Sequence, residues 1–214
     1  MTPTLEERLT KIERGEKEVL RVFSGMVKAG SDMHVSDFLL LGVLKRTVAH
    51  ADGFRDHINK RNFICAGTIL RAQLDTALRA NAISLVNRPE QFASDVLDGA
   101  PINKMKDRDG KQMTDAYLAK RLSETYPWVQ EVYDTLAELG HFSRRHIFSS
   151  IANTSDEERT VHFQISAKDP PRPDEDYFEI VECFTETMKT TCVIAAGWHS
   201  ALRQIHAQKR AANP

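Results

Sequence analysis

Apolar residues recur along most of this chain at three- and four-residue intervals, the repeat that lays them on one side of an α-helix. Leu5, Leu9, Ile12, Val19, Leu20, Phe23, Met26 and Val27 follow that rule, with charges between them. Thr4 and Glu7 have the spacing of a capping box, and Gly30 supplies a stop. A second helical pattern covers 36–59 through Phe38, Leu39, Leu40, Val43, Leu44, Val48, Ala51, Phe54 and Ile58. A third, rich in Ala, Leu and Ile, covers 62–87, and Pro89 fits the first turn of a short helix ending at Leu97.

Between 99 and 113 the periodicity is lost among Gly, Pro, Asp and Lys, which reads as a surface loop. Helix resumes over 114–124, and Pro127 opens another that runs to about Leu139. Past Gly140 the pattern changes to β-branched and aromatic runs at 146–151 and 159–165, with Val161, Phe163 and Ile165 alternating against polar neighbours. A polar stretch, 152–158, separates them, so the pair reads as a β-hairpin. Prolines at 170, 171 and 173 break the chain before a last long helix from Asp174 to about Lys209. The expectation is a mostly α single domain over 1–214, built as a bundle of about four long helices with short accessory helices. One hairpin insertion at about 146–166 precedes the long C-terminal helix, and the loop falls at about 99–113.

Lys and Arg number 29 against 30 Asp and Glu, so no global field draws the chain to nucleic acid or membrane, and a nucleic-acid role needs a local patch. No run approaches the roughly 18 apolar residues of a membrane span. The start of the chain lacks the apolar core of a signal peptide, and the three scattered cysteines form no disulfide framework, which points to the reducing cytoplasm. The histidines show no HxxxH or HExxH spacing, and P-loop, GxGxxG and GxSxG patterns are absent, so neither a metal nor a cofactor is expected.

Candidate chemistry comes from polar residues on apolar faces. On the third helix Arg71 and Asp75 fall within the arc of Leu70, Leu74 and Leu78. They either pair along the helix as architecture or line a polar pocket in which Arg71 takes an anion and Asp75 orients it. His199 and His206 lie on the stripe of the last helix, and His50 and His57 repeat at the same spacing beside Arg46. The junction 140–146 gathers His141, Ser143, Arg144, Arg145 and His146, either as a solvated connector or facing the same interior as Arg71 and Asp75. The candidate pocket is therefore Arg71, Asp75, His141, Ser143, Arg145, His146 and His199.

On Ile69-Leu70-Arg71-Ala72-Gln73-Leu74-Asp75 and Ser143-Arg144-Arg145-His146 the chain resembles a group of bacterial all-helical proteins of undetermined function. More distantly it is similar to the HEPN superfamily, whose active members are ribonucleases of toxin–antitoxin and antiviral systems with four to six residues between an Arg and a following His near a helix start. Here Arg46 and His50 stand closer together and in mid-helix, which puts a transferred catalytic role in doubt. Three functions follow as expectations: self-association as a homodimer or binding of a protein partner; a ligand site or enzyme around Arg71, Asp75 and the 141–146 turn; and a HEPN-like ribonuclease.

Overall fold

The computed structural model describes residues 2–28, 32–140 and 144–212. It is mostly helical. Helix α1 is Leu5–Met26, and its predicted cap is present: the Glu7 amide donates to Thr4 Oγ1 at 3.2 Å and the Thr4 amide to Glu7 Oε2 at 2.8 Å. Helix α2, Val35–Asn59, opens with the His34 amide donating to Asp37 Oδ2 at 2.8 Å. Arg61, in the left-handed region at φ 56°, turns the chain into α3, Phe63–Ala82. There the Asn62 side chain receives the Cys65 amide at 3.0 Å and Asp169 receives the Phe63 amide at 3.0 Å. These contacts satisfy helix-start donors that would otherwise lack partners.

Helix α3 ends earlier than the apolar pattern suggests. A 3-10 turn at Ile83–Leu85 tightens its close before α4, Pro89–Leu97, with Pro in its first turn. The loop after α4 is pinned rather than loose. The Arg108 amide donates to Leu85 O at 2.8 Å, and buried Asp107 accepts from the amides of Asp109 and Lys111 and from the Tyr117 hydroxyl. Helices α5, Asp115–Ser123, and α6, Trp128–Gly140, follow with little linker between them.

The hairpin is present but displaced. Residues 146–148, expected in the first strand, belong to a short helix, α7, Arg144–Phe148. The Ser149 hydroxyl donates to His146 O at 2.9 Å and the Ser150 hydroxyl to Ile147 O at 2.7 Å, closing helical turns that a strand would not form. Strand β1 is Ile151–Ser155 and β2 Thr160–Phe163, paired antiparallel with Thr154 opposite Val161 and an irregularity between Ile151 and Asn153. Arg159, at φ 52°, closes a turn shorter than the polar stretch implied. A 3-10 turn, Asp174–Tyr177, then leads into α8, Phe178–Ala212.

The core is built around α3, which packs against α2, α5, α6 and α8, while α1 lies against α2 and α8. Leu70, Leu74 and Leu78 are buried as the pattern requires, and so are Thr76 and Ala80 away from that arc. The small side chains there let α3 be covered over a wider arc than a two-faced wheel allows. Phe54 of α2 and Phe184 of α8 stack with ring centroids 4.1 Å apart. Among the described residues no helix is long and apolar enough to cross a membrane.

Candidate functional site

The half-buried rim of α3 carries Arg71, Asp75 and Arg79 at successive four-residue steps. Burial runs over the other side of the helix, so Arg71 and Asp75 stand at its edge rather than in its middle. Asp75 does not serve Arg71. Its carboxylate receives Arg79 at 2.8 Å and faces Arg46 of α2 at 3.8 Å, while Arg79 also reaches Asp115 at the start of α5 at 2.9 Å. Arg71 turns to α6 and lays its guanidinium over the Tyr133 ring, 4.7 Å from the centroid, a cation–π contact.

Beside this network stands His50. Its Nδ1 lies 2.9 Å from Gln73 Oε1, and Gln73 Nε2 donates to Thr47 at 3.2 Å and Thr191 at 3.0 Å. With the amide nitrogen so engaged, Gln73 offers His50 an acceptor, which places the proton on Nδ1 and leaves the Nε2 lone pair outward. Arg46 Nε approaches that Nε2 at 3.4 Å. Burial pushes the His50 pKa down and Arg46 adds to it, against the opposing pull of the Gln73 bond and Asp75, so the imidazole is neutral at pH 7. Half-exposed Arg46 thus lies between the His50 lone pair, towards which its Nε donates, and the Asp75 carboxylate.

The remaining predicted residues go elsewhere. His199 Nδ1 meets Asp37 Oδ1 at 3.0 Å, at the opposite end of α2 from the hairpin. His146 lines a cleft of about 320 Å³ with Cys65, Ser149, Gln164 and Ile165, where the hairpin root meets the start of α3. His141 and Ser143 lie outside the described residues, and of Arg145 only the backbone, within α7, is described.

Sequence reasoning did not find the partners of the α8 histidines. His206 Nε2 is 3.0 Å from Glu90 Oε1, its ring stacks on His34 at 3.5 Å between centroids, and Ser36 donates its hydroxyl to Glu90 at 2.6 Å. Burial works to raise the Glu90 pKa, but the bonds from Ser36 and His206 outweigh it and hold the carboxyl below its ordinary value. The seven-residue repeat of His199 and His206 was the available signal, since it puts both on one side of α8.

Burial, reinforced by nearby glutamates, pushes the Cys183 thiol up to about 11, and burial together with Glu18 does the same for Cys192, so neither is a thiolate at neutral pH. Among the described residues, no group of three or more His, Cys, Asp or Glu is placed to hold a metal ion. No family model, curated protein or solved structure matches this chain.

Proposed function

We propose that this protein works by association, as a homodimer joined through its hairpin arm. The observation that carries the reading is the uncovered apolar side of that arm: Val161, Phe163 and Ile165 are 50 %, 64 % and 87 % exposed. They alternate along β2 and its extension, where the Gln164 amide donates to Ser150 O at 2.7 Å, so they share one side. Ile147 and Phe148 of α7 are also more than half exposed. A two-stranded hairpin is marginal in water unless a helix or further strands cover it.

Charge favours a second copy as the cover. The arm's tip carries Asp156, Glu157 and Glu158 beside Arg159, and its root carries Lys168 and Arg172 beside Asp169, whose carboxylate is taken up by the Phe63 amide and the Tyr177 hydroxyl. Two arms packed antiparallel about a two-fold set each tip against the other root, a self-complementary contact.

Sedimentation velocity tests this directly. The wild-type chain is expected to run as a dimer at micromolar concentration, and Phe163→Glu with Ile165→Glu as a monomer of unchanged helical content. A monomeric wild-type chain overturns the reading. Dimerisation that survives in the arm variant but is lost with Leu20→Glu and Phe23→Glu moves the interface to α1, where both side chains are exposed.

A second reading, a HEPN-like ribonuclease, has one observation in its favour: Arg46 and His50 meet side by side despite their close spacing. RNA cleavage by the wild-type chain that is lost in His50→Ala supports it, and no cleavage at low salt removes it.

A further inference from the structure

The far end of α8 is fastened by a cluster that the association reading does not use. From α2 and the residue before it come His34, Ser36 and Asp37; from α4 comes Glu90; from α8 come His199, Arg203 and His206. Asp37 is nearly sealed, its side chain 2 % exposed. It accepts from the His34 amide, meets His199, and faces Arg203 Nη2 at 3.9 Å, a nitrogen that finds no hydrogen-bond partner. Glu90 holds both Ser36 and His206, and His206 lies flat on His34 with 7° between the ring planes.

With all three imidazoles neutral, Asp37, Glu90 and Arg203 leave the cluster one negative charge. A single added proton therefore neutralises it. Any further proton leaves the cluster net positive. His34 and His206 are in face-to-face contact, and two imidazolium rings so placed repel each other with little water between them.

We propose that this cluster is an acid-released fastener, holding the last turns of α8 on the starts of α2 and α4 at neutral pH and releasing them as His34, lying flat on the His206 ring, is driven to protonate. Burial and the His206 ring beside it hold the His34 pKa below its ordinary value, with Arg203 adding to this and Glu90 and Asp37 opposing. A histidine of lowered pKa stabilises the closed form fully above the free value of about 6.5, and that stabilisation is lost as the pH falls through the lowered value. Release frees the stretch of α8 that carries buried Leu202.

Hydrogen exchange of the whole chain at pH 7.5 and pH 5.5, corrected for intrinsic rates, tests the proposal. Amides of 199–208 are expected to lose protection by about tenfold or more in acid while those of α3 keep theirs. His34→Phe keeps a flat ring on His206 but takes no proton, and is expected to hold α8 closed at both pH values. Unchanged or greater wild-type protection at pH 5.5, loss that spreads equally to α3, or a His34→Phe chain that opens as the wild type does each overturn the fastener. Should His34→Phe fail to fold, NMR titration of the wild-type imidazoles decides. Charging of His34 in step with opening supports the proposal, and a charged His34 with α8 still protected overturns it.

Discussion

Gln73 has no exposed surface, yet its amide ties three helices: it meets His50 and Thr47 of α2 and Thr191 of α8 from its own place on α3. Buried polar groups of this kind cost little when satisfied and much when a partner is removed. Gln73→Leu is therefore expected to destabilise the fold by about 1–3 kcal/mol, read as a lower urea midpoint, because it strands the His50 Nδ1 proton, while the Thr47 and Thr191 hydroxyls keep their bonds to Val43 O and Thr187 O. At this scale the sequence pattern was only partly legible. It drew attention to Arg71 and Asp75, which break the apolar arc, and passed over Gln73, which sits deeper than either. A helical wheel ranks faces, and α3 is covered on more than one. His199 was visible as a polar residue on an apolar stripe, but Asp37 lies far off in sequence and no local rule connects them.

At the scale of elements, helices were read closely wherever a cap or a proline marked an end. Thr4 with Glu7, Thr114, and Pro89 all do what their chemistry suggests. The end of α3 and the start of the hairpin had no such marker. There the Ser149 and Ser150 hydroxyls close the end of a short helix over 144–148, and Arg159 made the hairpin turn without a glycine to announce it. Gly42 lies inside α2, where an added Cβ meets nothing within 4 Å. A helical glycine with open space around it gives up about 0.5–1 kcal/mol relative to alanine. Gly42→Ala is expected to raise the stability of the chain by about that amount, seen as a higher urea midpoint, and a loss of stability instead means that α2 is approached there by another surface.

For the molecule as a whole, the lowered pKa values of His34 and His50 and of Glu90 act in one direction. Each histidine contributes stability that is complete above about pH 6.5 and is lost as the pH falls through its lowered value, and Glu90 adds a loss below about pH 4.5. Glu16 opposes them, since burial, with Asp52 and Glu13 nearby, raises its pKa against the pull of Arg55. Thermal unfolding is thus expected to show a Tm that is level near neutrality and declines from about pH 6.5 downward. Removing the imidazole at position 50 by His50→Gln should flatten the upper part of that decline. A Tm that rises as pH falls to 5 contradicts it.

The cleft at the root of the arm has a practical corollary. Cys183 and Cys192 are held as unreactive thiols, whereas Cys65 opens onto that cleft beside Gln164 and Ile165. A maleimide dye offered to the native chain at neutral pH is thereby directed to one place without any engineered cysteine. If the arms pair as proposed, its emission is expected to change on association, in real time and on the unaltered sequence.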